Sequence, residues 1–164
     1  SLSWMLREWS KQGKASVLGI VTGMVAGLGT ITPASGFVGP MGALVIGILA
    51  GLICYEATQY IKKVLKIDDS LDVFPVHGVG GILGTLLTGV FASASLGGMG
   101  MDNSISTQVG IQITGILFTI VWCGLFTFLI LRFVDNVLGL RIAEDDEEVG
   151  IDLSEHGESS YNSN

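Results

Sequence analysis

One histidine interrupts a long apolar stretch of this sequence, and its chemistry sets the first question. His77 lies in the uncharged run from Val73 to Met101. Polar side chains at membrane depth are costly and usually face a cavity or a partner. A neutral imidazole has one hydrogen-bond donor and one acceptor, which suits a small polar solute or a transferable proton. The alternative is a core histidine bonded to a neighbouring helix, and the sequence leaves both readings open.

Glycines follow His77 at helical spacing. Gly80, Gly81 and Gly84 come three, four and seven residues later. The side chain of His77 is therefore expected to lie next to a strip of the helix surface with almost no side chains. Similar ladders of small residues are Gly19, Gly23 and Gly27, then Gly47 and Gly51, then Gly80, Gly84 and Thr88. Such ladders allow close helix packing in lipid, or they leave room for a conduit. Spacing alone does not separate these two roles.

The remaining reactive side chains give weaker signals. Cys54 and Cys123 lie inside apolar runs and show neither disulfide nor metal-site spacing. His156 beside Glu158 supplies two metal ligands where three or four are needed. No nucleophile with a neighbouring base is evident. The sequence therefore predicts no enzyme, no metal and no cofactor.

No carboxylate lies in the middle of the apolar runs, and this limits which solutes could cross a membrane here. Glu56 lies near the end of its run, six residues before Lys62, and is expected to form an interfacial ion pair with Lys62 or Lys63. Moving a bare ion into hydrocarbon costs on the order of tens of kcal/mol. A path lined by Gly, Val, Ile and Leu would therefore favour a neutral molecule over a permanent cation.

The composition places the chain in a membrane. Of its 164 residues, 49% are hydrophobic and 14% are charged, whereas a soluble domain has about 25% charged residues. The net charge of −7 comes from the segment 142–164, which is rich in Asp and Glu and has no Lys or Arg. An acidic tail argues against nucleic acid as a partner.

The uncharged runs are long enough to cross a bilayer, whose apolar core needs about 20 helical residues per span. We predict an all-α, polytopic transmembrane helix bundle. Its four full spans are expected near residues 15–32, 39–61, 73–93 and 108–134. Residues 1–14 are expected to be the end of a preceding transmembrane helix and a loop, and residues 135–164 an acidic tail.

The basic residues fix the expected orientation. Four crossings place all of them on one side: Arg7, Lys11, Lys14, Lys62, Lys63, Lys66, Arg132 and Arg141. The positive-inside rule then puts residues 1–14, 62–72 and the tail in the cytoplasm. An integral protein of the plasma (inner) membrane with a cytoplasmic C-terminus is expected.

Two segments and the tail resemble the ammonium transporters of the Amt/Mep/Rh superfamily. The segments are Asp72-Val73-Phe74-Pro75-Val76-His77-Gly78-Val79-Gly80-Gly81 and Ile31-Thr32-Pro33-Ala34-Ser35-Gly36-Phe37-Val38-Gly39-Pro40. The tail is similar through Gly139-Leu140-Arg141, Gly150-Ile151-Asp152, His156-Gly157-Glu158 and Tyr161. The match covers the whole chain in order and resembles roughly the last two-fifths of an Amt-type protein. A fragment of the family's eleven-helix fold is expected.

The resemblance implies a pore and assigns residues to it. Ammonium loses a proton at an outer vestibule, and ammonia crosses an apolar path beside two hydrogen-bonded histidines that relay the proton. His77 matches the second of these histidines, while the first belongs to the part of the family pattern upstream of this chain. Val73 and Val76 are expected to line the inner pore. Asp72, also placed as the N-cap by its position before the helix, is expected to be a structural cap and loop anchor.

The resemblance also implies partners. It predicts a homotrimer with one path in each subunit, with ammonium or ammonia as substrate and membrane lipid around it. The tail is expected to pack under the trimer and to offer a docking region for PII-type nitrogen-signalling proteins. Its expected regulatory residues are Arg141, Gly150, Asp152, His156, Gly157, Glu158 and Tyr161.

Three functions are compatible with these features. The first is transport of ammonium or ammonia through a hydrophobic pore with a histidine-assisted deprotonation or proton relay. The second is an ammonium sensor of the same fold that signals through its tail. The third is a helical scaffold in which the glycines only pack helices and His77 tolerates any residue of similar volume.

Overall fold

The computed structural model describes residues 1–159 and folds them mainly into helices. The α-helices are α1 (Leu2–Gln12), α2 (Val17–Ile31), α3 (Pro40–Tyr60), α4 (Gly80–Phe91), α5 (Ile105–Val137), α6 (Glu144–Val149) and α7 (Ile151–His156). No strand occurs within residues 1–159, which confirms the all-α prediction. The chain divides into two compact units, residues 1–118 and the residues from 119 onward.

Four helical segments of residues 1–159 are long and apolar enough to cross a membrane. They are Val17–Ala34, Pro40–Leu65, Phe74–Phe91 and Ile105–Val137. Their number agrees with the predicted bundle of four spans. Two of them contain π-helical turns, Ile61–Leu65 after α3 and Phe74–Val79 before α4. A π-helical turn holds one more residue than an α-helical turn, so these segments do not keep the 3.6-residue period throughout.

The core of the first unit is small and draws on four helical segments. It contains Trp4, Ala26, Cys54, Tyr55 and Val76. The ring centroids of Trp4 and Tyr55 lie 5.5 Å apart in an edge-to-face arrangement, which is a favourable geometry for aromatic pairs. The segment α1 is thus a packed part of the bundle.

Close helix packing depends on glycines. A Cβ on Gly23 would lie 2.5 Å from the Cβ of Trp4, and a Cβ on Gly84 would collide with the backbone carbonyl of Thr30. These positions therefore accept only glycine without a backbone shift. Two other glycines of the predicted ladders, Gly27 and Gly47, have open space where a side chain would be, and so does Gly81 next to the third ladder. The ladders thus contain both packing positions and open positions.

A buried carboxylate ties α1 to the start of α2. Glu8 accepts hydrogen bonds from the backbone N–H of Ser16 at 3.1 Å and from its hydroxyl at 2.8 Å. The Ser16 oxygen in turn accepts from the N–H of Gly19 at 2.9 Å and caps the helix. Gly19 leaves the space that the carboxylate of Glu8 occupies. The buried charge is thereby satisfied by neighbouring donors, as burial requires.

The second unit contains the end of α5 and the acidic tail, which forms two short helices as far as residue 159. Gly150 separates α6 from α7 with φ +104°, and Gly157 ends α7 with φ +63°. Positive φ values favour glycine over other residues. The two glycines therefore act as turns, as their spacing suggested.

Candidate functional site

His77 lies within the π-helical turn Phe74–Val79, directly before α4. Its side chain is exposed and forms no hydrogen bond to any residue in the described part of the chain. A Cβ placed on Gly29 of α2 would lie 3.7 Å from Nδ1 of His77. The described residues therefore do not make His77 a core histidine bonded to a neighbouring helix.

The turn that carries His77 is capped by Asp69. The carboxylate of Asp69 accepts hydrogen bonds from the N–H groups of Val73 at 2.8 Å and Phe74 at 2.9 Å. These are first-turn donors that have no partner within the helix. The prediction that Asp72 caps this helix is therefore wrong, because the loop before the helix brings the earlier aspartate over its N-terminus.

Asp72 instead anchors the loop through an ion pair. Its Oδ1 lies 2.8 Å from Nζ of Lys62, in the π-helical turn that follows α3. Asp72 adopts φ +55° and Lys66 adopts φ +53°, both in the left-handed region. That conformation is uncommon for residues with a side chain and fixes the path of the loop. The loop-anchor part of the expected Asp72 role agrees with this geometry.

The two valines assigned to the pore have opposite environments. Val73 is 52% exposed, but Val76 is only 3% exposed and packs in the core with Trp4 and Tyr55. Val76 therefore cannot line an open path, and its assignment is corrected to a packing residue. The resemblance assigned both valines to the pore together, and the burial of Val76 depends on contacts with α1 and α3 that no local pattern shows.

The glycine strip next to His77 is only partly open. A Cβ on Gly80 would lie 2.7 Å from Oγ1 of Thr30, and Gly84 packs against the Thr30 backbone. Gly81 alone of the three has nothing within 4 Å of its Cβ position. Two of the three glycines thus join α4 to α2, and the expectation of a bare strip holds only at Gly81.

Glu56 forms an ion pair, but with a partner other than the one expected. Its Oε1 contacts the guanidinium of Arg7 on α1, not Lys62 or Lys63. Both side chains are partly exposed, so the pair contributes little to stability. A partner so distant in sequence could not be identified from spacing along one helix.

Of the predicted tail residues that the structure describes, Arg141 precedes α6, and the others lie on α7 or next to its ends. Arg141 Nη2 lies 3.3 Å from Oε2 of Glu147, and both side chains are exposed. The N–H of Glu158 donates to the carbonyl of Asp152 at 2.9 Å, just past the end of α7. His156 is the last residue of α7. Tyr161 lies outside the described residues.

Two residues near His77 were missed by sequence reasoning. Gly29 lies on α2, which is distant in sequence, so no local pattern links it to His77. Asp69 was detectable in principle, since the run Asp68-Asp69-Ser70 before a helix is typical of capping segments.

These features together define an integral membrane protein: a bundle of apolar helices of membrane length, one of which carries an exposed imidazole. The ammonium transporter family model matches residues 1–161. The chain belongs to the ammonium transporter family.

Individual relatives agree with this assignment. An ammonium transporter of Aquifex aeolicus is 45% identical over 163 residues, which cover 99% of this chain and 38% of the relative. One of Bacillus subtilis is 40% identical over 96% of this chain and 40% of its own length. A solved structure named Sensor Amt Protein superposes with a TM-score of 0.85 at 31% identity, covering 94% of this chain and 38% of that one. The chain spans about two-fifths of the length of these relatives.

Proposed function

We propose that the protein of which this chain forms part transports ammonium or ammonia across the membrane, and that the substrate passes His77. The observation that carries the proposal is an exposed imidazole in a helical segment of membrane length, with no hydrogen-bond partner among residues 1–159. A polar ring facing lipid would be costly, whereas a ring facing a polar solute would not. Membership of the ammonium transporter family supplies the substrate class.

The chemistry follows from the cost of moving charge. An intact ammonium ion would lose its hydration in an apolar path. For a bare ion this loss costs on the order of tens of kcal/mol. Ammonia is neutral and has one lone pair and three N–H donors. The neutral imidazole of His77 can donate one hydrogen bond to that lone pair or accept one from an N–H. It can also receive the proton that ammonium releases and pass it to a second base.

Exposed Val73 precedes His77 by one turn, and we include it in the proposed path. Val76 is not included because it is buried. Gly29 is included because it lies next to Nδ1 of His77 and has no side chain that could cover this edge of the ring.

Ammonium uptake into liposomes tests the proposal, with the protein expressed from its complete reading frame. The change His77→Ala should reduce ammonium-driven flux at least tenfold at equal protein content. His156→Ala is the matched control, since it removes the other histidine of the chain, which lies in the proposed docking tail, and should leave flux unchanged in liposomes without a PII-type protein. Undiminished flux in His77→Ala liposomes would reject a role for His77 in transport.

We further propose a homotrimer with the tail in the cytoplasm, where it docks a PII-type nitrogen-signalling protein. The Lys and Arg residues of the chain, which four crossings would place on the same side of the membrane, support this orientation. Light scattering in detergent should give the mass of three subunits. A PII-type protein should bind the intact transporter and lose binding when the chain is cut after residue 141. Equal binding by both forms would place the docking site elsewhere.

A second candidate function is ammonium sensing. It is favoured by the superposition on the structure named Sensor Amt Protein. A pure sensor binds ammonium without net flux, so it predicts saturable ammonium binding together with liposome uptake no faster than in empty liposomes. A flux that depends on His77 would exclude this candidate.

A further inference from the structure

The loop between α3 and the helical turn of His77 has an unusual backbone at both ends. A π-helical turn lies on each side of it, Ile61–Leu65 before the loop and Phe74–Val79 after it. Lys66 and Asp72, close to these two turns, have left-handed φ values of +53° and +55°. Such conformations cost free energy in residues with a side chain and persist only where surrounding contacts hold them. The contacts that hold this loop therefore bear on the position of His77.

One ion pair joins the two ends of the loop. Oδ1 of Asp72 lies 2.8 Å from Nζ of Lys62, which belongs to the first of the two π-helical turns. The Asp72 side chain is 17% exposed, and its buried Oδ1 has no other polar partner within residues 1–159. The Lys62 side chain is 40% exposed. Water can therefore solvate the ammonium group of Lys62 without its partner, whereas the buried oxygen of Asp72 depends on Lys62.

The backbone of Asp72 also takes part in the first turn of the helix that carries His77. Its carbonyl accepts a hydrogen bond from the N–H of Val76 at 3.1 Å. The carbonyl oxygen of Val76 and Nδ1 of His77 lie 3.9 Å and 3.7 Å from the Cβ position of Gly29. A movement of Asp72 would therefore change the position of the His77 ring against α2.

The helix beyond His77 is held in place by its packing. A Cβ on Gly80 would lie 2.7 Å from Oγ1 of Thr30, and a Cβ on Gly84 would collide with the Thr30 carbonyl. Because α4 is fixed against α2, the extra residue of the π-helical turn could leave the turn only into the loop. Its loss would rotate the two sides of the turn relative to each other by about 100°, which is the rotation per residue of an α-helix.

We propose that Lys62 and Asp72 are positioning residues for transport, because their ion pair keeps the π-helical turn in register and holds the imidazole of His77 beside Gly29. The extra residue could pass into the loop only if Asp72 moved away from Lys62. The inference rests on the proposed function, which places His77 on the path of the substrate. Loss of the pair should therefore lower the maximal flux of ammonium.

The test compares ammonium flux into liposomes for variants of the protein expressed from its complete reading frame, at equal content of folded protein. Lys62→Met keeps the side-chain length but leaves the buried carboxylate oxygen without a cation, which costs more than the pair itself contributes. Its flux should fall by about fivefold or more. Lys62→Arg keeps the charge and should stay close to the unmodified protein. Asp72→Asn, added to Lys62→Met, removes the unpaired charge and should restore part of the flux.

Lys63→Met is the matched control. Lys63 lies in the same π-helical turn, is exposed, and forms no ion pair within residues 1–159, so its replacement should leave flux unchanged. An unchanged flux in Lys62→Met would overturn the proposal, and so would an equal loss in Lys63→Met. A flux loss in Lys62→Met that Asp72→Asn does not relieve would overturn it as well.

Thiol labelling separates this inference from the proposed function, because it requires no transport. In a background with Cys54 and Cys123 replaced, a water-soluble thiol reagent should modify His77→Cys quickly and Val76→Cys slowly. Adding Lys62→Met should slow the first reaction and speed up the second several-fold, because the turn rotates. Unchanged rates at both positions would overturn the proposal even where His77→Ala abolishes flux. Changed rates with undiminished flux in His77→Ala would reject the proposed function and leave the effect of the pair on the turn standing.

Discussion

The Lys62 ammonium and the Asp72 carboxylate lie 2.8 Å apart and connect the end of α3 to the start of the helix that carries His77. Asp69 caps the same helix, so two separate contacts fix the position of the His77 turn. The ion pair is partly exposed and is worth at most about 1 kcal/mol. The Asp69 cap satisfies two backbone donors and is expected to stabilise the turn more than the ion pair does.

Removal of the cap should therefore destabilise the protein. Asp69→Ala is expected to cost about 1 to 2 kcal/mol, because two first-turn N–H groups lose their acceptor. Thermal unfolding in detergent measures the effect as a lower Tm. Asp68→Ala is the control, since the Asp68 carboxylate accepts only from the Ser70 hydroxyl in the described part. Equal Tm values for the two variants would contradict the assignment of Asp69 as the cap.

Replacement by alanine should have different effects on stability at two adjacent glycines of α4. Gly80→Ala places a methyl group 2.7 Å from Oγ1 of Thr30 and is expected to cost about 1 to 3 kcal/mol through overpacking. Gly81→Ala meets open space and should be neutral or slightly stabilising, since alanine favours helices more than glycine. The Tm of each variant in detergent gives the comparison. A Gly81→Ala variant less stable than Gly80→Ala would contradict the packing described for α4 and α2.

The Ser16 hydroxyl has two hydrogen-bond partners, so its removal should destabilise the protein more than removal of an ordinary surface serine hydroxyl. Ser16→Ala removes a donor to buried Glu8 and an acceptor for the N–H of Gly19, with an expected cost of about 1 to 2 kcal/mol. Ser10→Ala serves as the control, because that exposed hydroxyl donates to the carbonyl of Arg7 and has no other partner within residues 1–159. Chemical denaturation in detergent compares the two. A decrease in the free energy of unfolding below about 0.5 kcal/mol, which is the value of one weak hydrogen bond, would be too small for the loss of both partners.

A methyl group at Gly29 should affect transport more than stability. The added Cβ lies 3.7 Å from Nδ1 of His77, which is an ordinary contact distance that also covers one edge of the ring. Gly29→Ala is therefore expected to fold normally and to lower ammonium flux several-fold. Gly27→Ala on the same helix meets open space and should leave flux unchanged. Equal flux in the two variants would show that the Nδ1 edge of His77 is not used.

Sequence reasoning found the features that depend on local composition. The apolar runs predicted the four helical spans, and the position of His77 in one of them was plain from the absence of charge around it. The spacing of Gly150 and Gly157 indicated turns, because positive φ is a property of single residues.

The errors concern relations between segments. The pairing of Glu56 with Arg7 joins α3 to α1, and no pattern within one helix reveals it. Asp69 replaces Asp72 as the cap because left-handed residues redirect the loop. Val76, which the resemblance assigned to the pore, is buried with Trp4 of α1 and Tyr55 of α3.

The central claim is that residue 77 faces the path taken by the substrate, and thiol labelling tests it most directly. In a background with Cys54 and Cys123 replaced, His77→Cys and Val76→Cys place a thiol at neighbouring positions of opposite exposure. We expect a small water-soluble thiol reagent to modify position 77, to abolish the ammonium flux that remains, and to leave position 76 unmodified. Failure to modify position 77, or modification that leaves the flux intact, would contradict the account.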